Sequence, residues 1–122
     1  MVRLAFVSAA LVLFAGPVFA KSDVSSERGI ASTYGRKFVG HMTASGALLD
    51  RSSLTAAHRH LPFGTRLEVL NTHNGRTITV TVNDRGPHLK GRIIDLSPAA
   101  AEMLGMRGEG LVPVEIHIAA RK

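Results

Sequence analysis

The 122-residue chain contains no cysteine. That excludes a disulfide framework, so a folded domain here must be held by its hydrophobic core. Aromatic residues are almost as scarce: beyond residue 20 only Tyr34, Phe38 and Phe63 remain, too few for base-stacking platforms. Acidic residues are outnumbered, 9 against 15 basic ones, for a formal net charge of +6. A long apolar run is missing too. The longest, residues 4–14, falls well short of the roughly 20 residues that span a bilayer.

That short run has another reading. Arg3 supplies a positive start, Gly16-Pro17 breaks the apolar stretch, and Val18-Phe19-Ala20 offers tolerated residues before a cleavage site. Residues 1–20 are therefore expected to be a secretory signal peptide. With no cysteine at the cleavage site, no lipid anchor is expected, and the product should be soluble, monomeric and periplasmic. Without Arg3, 14 basic residues face 9 acidic ones, a net +5 before histidine. Such a domain suits polyanions. Location and composition exclude nucleic acid as a partner, and an anionic cell wall fits, although the charge would also serve solubility alone.

Residues 21–27 are polar, without periodicity, and are expected to be a flexible leader before a single domain over 28–119, with a tail at 120–122. Gly29 to Gly35 reads as a first strand opening into a loop. Arg66-Leu67-Glu68-Val69-Leu70 alternates as a half-buried strand does, and Asn74-Gly75 signals a tight hairpin turn into Arg76-Thr77-Ile78-Thr79-Val80-Thr81-Val82. One helix is well signed: Ser97 as N-cap, Pro98 at the first helical position, Gly105 as the stop. Leu111 to Ile118 is the last strand, and its Pro113 favours an edge or strand start. Many short strands with one short helix point to a mainly all-β fold, a small barrel.

Two aspartates mark the chemistry. Asp84 and Asp95 each end a β-branched run, with Arg85 and Arg92 close by. A carboxylate at a strand end is held by the sheet and faces open space, as an acid/base group must. Asp also commonly shapes turns and helix entries, and spacing alone does not choose between the two. His58-Arg59-His60 sets two imidazoles on one side of an extended segment. With no cysteine and no third ligand at telling spacing, no metal and no cofactor is expected.

Six blocks then occur in order: Gly29-Ile30-Ala31-Ser32-Thr33-Tyr34-Gly35, Thr43-Ala44-Ser45-Gly46, Leu54-Thr55-Ala56-Ala57-His58, Leu61-Pro62-Phe63-Gly64-Thr65, Val82-Asn83-Asp84-Arg85-Gly86-Pro87 and Arg92-Ile93-Ile94-Asp95-Leu96-Ser97. Together they resemble the rare lipoprotein A family of septal lytic transglycosylases. The resemblance implies a six-stranded double-psi β-barrel, related in fold to expansins, that acts on peptidoglycan glycan strands. Such an enzyme cleaves the bond from N-acetylmuramic acid to N-acetylglucosamine without water. One carboxylic acid protonates the leaving oxygen, then accepts the proton of the sugar's own 6-hydroxyl as it attacks, leaving a 1,6-anhydro end. A hydrolase needs a second carboxylate.

Carried over block by block, the resemblance makes Asp84 the expected acid/base, with His58 in support through a hydrogen bond to Asp84 or to substrate. It places Tyr34, Arg85 and Asp95 on the substrate-binding side. Tyr34 either stacks on a sugar or packs in the barrel, and Asp95 is favoured as structural. Arg85 opposes a protonated Asp84 unless its side chain points away or steadies the later carboxylate. The chain departs from the family at Ala47, where a glutamate is usual, and at Leu49, where an aromatic is usual. A non-catalytic, expansin-like glycan-binding module is therefore the alternative. The C-terminal peptidoglycan-binding domain that many relatives carry is not expected here, nor is septal recruitment expected to carry over.

Overall fold

The computed structural model describes residues 26–34, 38–106 and 109–120. The expected signal peptide and residues 21–25 of the leader lie outside them. Six strands, β1 (Ser26–Thr33), β2 (Thr55–Ala57), β3 (Arg66–Asn71), β4 (Thr77–Asp84), β5 (Arg92–Leu96) and β6 (Leu111–Ala120), close into a barrel in the order β1-β5-β2-β4-β3-β6. One helix, α1 (Pro98–Met103), follows β5. This is the expected mainly all-β, six-stranded double-psi barrel. Ser26 and Glu27, expected in the leader, instead open β1 and pair with His117 and Ile116 of β6.

Alternation builds the core. Leu67, Val69, Val80, Val82, Ile94, Leu96, Val112, Val114 and Ile116 point inward and are at most 2% exposed. Each such side chain contributes about 1.5–3 kcal/mol by leaving water. The β3–β4 ribbon pairs Leu67 with Val80 and Val69 with Ile78, as the alternation requires. Its connection is wider than a two-residue turn: the Asn71 N–H donates to the Arg76 carbonyl at 2.8 Å to close it, and Gly75 takes φ +79°. Asn71 and Asn74 both donate from Nδ2 to the Leu104 carbonyl at 3.1 Å, so the asparagines clamp the end of α1.

Pro113 is not at an edge, since a closed barrel has none. Its partner in β1, Ile30, turns its own N–H to the Gly91 carbonyl, so the pair requires no N–H from residue 113. The β3 ladder stops one residue short, at Asn71 against Val114. Ser97 caps α1 as expected, accepting from Ala100 N at 3.3 Å, with Pro98 following and Gly105 at φ +81°. No helix among the described residues is long and apolar enough to cross a membrane.

Candidate active site

Strand register assembles the site. Asp84 at the end of β4 pairs with Ala57 of β2, Ala57 pairs with Asp95 of β5, and Asp95 pairs with Ser32 of β1. The two aspartates therefore sit in one row on either side of β2, about 10 Å apart by strand spacing. Alanine at position 57 keeps the row between them low. Tyr34 lies two residues beyond Ser32, the spacing that keeps side chains on one face of an extended chain.

The Asp84 carboxylate is held from three sides. The Tyr34 hydroxyl donates to Oδ2 at 2.5 Å, while the Ala44 and Arg85 amides donate to Oδ1 at 2.8 and 2.9 Å. Ala44 belongs to the turn formed by Thr43, Ala44, Ser45, Gly46 and Ala47, which Thr43 closes by donating from N and Oγ1 to the Ala47 carbonyl. A carboxylate offers about four lone-pair directions. Donors among the described residues take two on Oδ1 and one on Oδ2, which leaves one direction on Oδ2 without a donor among them. Burial pushes the Tyr34 hydroxyl far above its ordinary value, and the hydrogen bond to Asp84 and the charges of Asp84 and Asp95 push the same way. It stays a protonated donor throughout the neutral range.

Asp95 is anchored from behind, accepting at Oδ1 from the Ser32 hydroxyl. Its Oδ2 lies 3.8 Å from where a Cβ on Gly86 would sit, and Gly86 has φ +124°. Arg59 fixes the segment between the aspartates by donating to the carbonyls of Pro87, Leu89 and Arg92 at 2.7–2.9 Å.

Arg85 points away from the carboxylate beside it. Its Nη1 donates to the carbonyls of Leu61 at 2.8 Å and His58 at 3.3 Å, and its guanidinium carbon lies 4.0 Å from the centre of the Phe63 ring. His58 meets Asp84 only through the backbone, its N–H donating to the Asp84 carbonyl at 3.1 Å. Its imidazole is buried elsewhere, with Nε2 3.1 Å from Glu27 Oε1 and Nδ1 accepting from the amides of His60 and Leu61 at 3.3 Å. Tyr34 bonds through its hydroxyl and meets Phe38 edge-on, with centroids 6.3 Å apart. Ala47 is exposed three residues from Ala44, and Leu49 is buried.

Sequence reasoning missed Ala44, Ser32, Glu27, Phe63 and Arg59. For Ser32 a signal existed, its two-residue spacing from Tyr34. For the others the contact comes from distant chain segments and leaves no local mark.

Burial holds the His58 imidazole below its ordinary value, with His60 and Arg85 adding to the effect and Glu27 opposing it. A lowered folded value means that the unfolded chain takes up the proton first. The contribution of His58 to stability is therefore complete above about pH 6.5 and is lost as the pH falls from there towards the folded value. The limit for one proton is about 1.4 kcal/mol per pH unit. Thermal melts between pH 7.5 and 5.5 should show Tm falling with pH in the wild type and a flatter dependence in His58→Gln. Equal slopes would remove His58 as the source. Asp50 and Glu115, whose carboxyls are held below their ordinary values mainly by hydrogen bonds from Ser52 and His117, act only in the lower, carboxylate window.

Comparison with known proteins agrees with this architecture. Residues 26–116 match the family described as lytic transglycolase. A probable endolytic peptidoglycan transglycosylase RlpA of Nostoc sp. is 54% identical over 98 residues, covering 79% of this chain and 26% of the relative. The endolytic peptidoglycan transglycosylase RlpA of Vibrio cholerae is 50% identical over 93 residues, covering 76% and 35%. The chain thus spans only about a quarter to a third of the length of these two relatives. Among solved structures, a Streptomyces papain inhibitor superposes with a TM-score of 0.62 at 28% identity, covering 78% of this chain and 94% of that one. An expansin of Clavibacter michiganensis, also at 0.62 but 20% identical, covers 80% and 52% and shares the fold. With a matched span running from the first residue of β1 into β6, and relatives about half identical across it, the chain belongs to the lytic transglycolase family, as a rare lipoprotein A-like double-psi β-barrel.

Proposed function

We propose that this domain is an endolytic lytic transglycosylase that cleaves the MurNAc–GlcNAc β-1,4 bond of peptidoglycan and leaves 1,6-anhydroMurNAc ends. The observation that carries the reading is the Asp84 carboxylate, held by three donors, with one direction on Oδ2 that no described residue fills. In the first step Asp84 gives a proton from Oδ2 to the leaving glycosidic oxygen. The carboxylate that forms is met by Tyr34 and two amides already in place, so little reorganisation opposes the transfer. In the second step the same oxygen takes the proton of the sugar's 6-hydroxyl as that hydroxyl closes on the anomeric carbon. One carboxylate thus serves twice, and no activated water is required. Asp95, tied to Ser32 and a strand away, organises the row rather than sharing the proton.

Export by residues 1–20 would deliver the domain, as a soluble monomer, to the periplasm, where its positive charge suits an anionic polymer. Incubation with peptide-free glycan strands, followed by mass spectrometry for anhydro ends, tests the reading. Strand binding without anhydro products would favour the expansin-like module, for which the missing carboxylate at Ala47 speaks. Ala47 is exposed, so a longer side chain is accommodated there without repacking. Ala47→Glu should raise turnover by about three- to tenfold if a second acid in the turn that bonds Asp84 helps it act as an acid. An unchanged rate would show that the domain works without it.

A further inference from the structure

Between Glu27 and Asp84 runs a continuous set of contacts that the reaction chemistry itself does not use. Nδ1 of His58 accepts two backbone amides, those of His60 and Leu61, both at 3.3 Å. A nitrogen accepting two N–H donors carries no hydrogen, so the ring proton resides on Nε2 and is donated to Glu27 Oε1 at 3.1 Å. The two amides fold residues 58–61 into a turn whose outer carbonyls, His58 and Leu61, receive Nη1 of Arg85. Phe63 lies under the same guanidinium. The turn therefore parks a permanent cation on backbone oxygens, although that cation belongs to the residue immediately after Asp84. Were the turn to open, Asp84 would be the carboxylate nearest to the released guanidinium along the chain.

We propose that Glu27 is a positioning residue for the acid/base step: by accepting the Nε2 proton of His58 it selects the tautomer that closes the 58–61 turn and so keeps the Arg85 guanidinium off the Asp84 carboxylate. The inference rests on Asp84 being the acid. A cation in contact with Asp84 would favour its charged form and remove the proton that the first step needs. Among the described residues, the charged and titratable groups facing His58 are Glu27 from β1, His60 beside it in the turn, at 4.8 Å between ring centres, and Arg85 after β4. Of these only Glu27 accepts the ring proton. The imidazole of His58 is 3% exposed, whereas the Glu27 side chain is 41% exposed, so Glu27 can be replaced without disturbing the core.

The test needs no turnover, so it stays separate from whether the domain cleaves glycan. In 15N- and 13C-labelled protein, NMR reads the His58 tautomer from its ring nitrogens and the titration of Asp84 from its carboxyl carbon. Wild type should show the Nε2–H form. Glu27→Gln keeps an acceptor and should leave both readouts unchanged. Glu27→Leu should lose the pure Nε2–H form and shift the Asp84 titration to lower pH, and in an Arg85→Gln background the same substitution should leave Asp84 where Arg85→Gln alone puts it. In turnover assays Glu27→Leu should move the basic limb of the pH–rate profile to lower pH. A Nδ1–H ring in wild type, an Asp84 titration indifferent to Glu27→Leu, or a shift that persists without Arg85 would each overturn the proposal. Wild-type protein that yields no anhydro ends would count against the enzymatic reading alone.

Discussion

Asp84→Asn should lower the release of 1,6-anhydro ends from peptide-free glycan strands by about 10²- to 10⁴-fold, the span that a general acid/base contributes. The substitution is close to isosteric, so it isolates the proton. The Asn carbonyl oxygen still accepts from Ala44 and Arg85, as Oδ1 does at 2.8 and 2.9 Å. Its amide nitrogen replaces Oδ2, and the Tyr34 hydroxyl answers by accepting instead of donating. Backbone anchoring survives as well, because the Asp84 carbonyl still receives the His58 N–H. The variant should accordingly bind strands and melt near the wild-type temperature while producing few anhydro ends. Anhydro products at the wild-type rate would remove Asp84 from the chemistry. Loss of binding and folding together would assign the aspartate to the scaffold.

How far the site was legible in the sequence depends on how far apart in the chain its partners lie. Local chemistry was readable: Ser97, Pro98 and Gly105 delimit α1, and alternation from Leu67 to Val82 gives the β3–β4 pair. The turn between those strands was readable only in part. Gly75 takes its positive φ, but Asn74 is spent on the carbonyl of Leu104, thirty residues on, and that tertiary bond sets a wider loop than the dipeptide suggests. Ser26 and Glu27 look like a polar leader because their partners, His117 and Ile116, are at the other end of the chain.

The same limit governs direction. The ordered blocks pick out Asp84, His58 and Arg85, but not which way each side chain turns. The His58 ring turns to Glu27, and Arg85 turns to a pair of carbonyls. The row from Asp84 through Ala57 and Asp95 to Ser32 is set by parallel and antiparallel pairings that only barrel closure fixes. The resemblance supplied the residues, and the register supplied their arrangement.

Tyr34→Phe should cost about 10- to 100-fold in kcat with little change in KM. The phenylalanine keeps the ring and its edge-on contact with Phe38, so packing is preserved. What disappears is the donor 2.5 Å from Oδ2, the oxygen through which the proposed mechanism passes the proton. A hydrogen bond to a charged acceptor is worth about 1.5–3 kcal/mol, and about 1.4 kcal/mol is tenfold in rate. The loss falls on the step in which Asp84 gains charge, because the hydroxyl bonds the carboxylate more strongly than the acid. A stacking role for Tyr34 predicts a different pattern. Phe would then serve as well as Tyr, KM would change only with Tyr34→Leu, and kcat would hold in both. Steady-state kinetics on peptide-free strands with the two variants side by side separates these roles, since one depends on the hydroxyl and the other on the ring face.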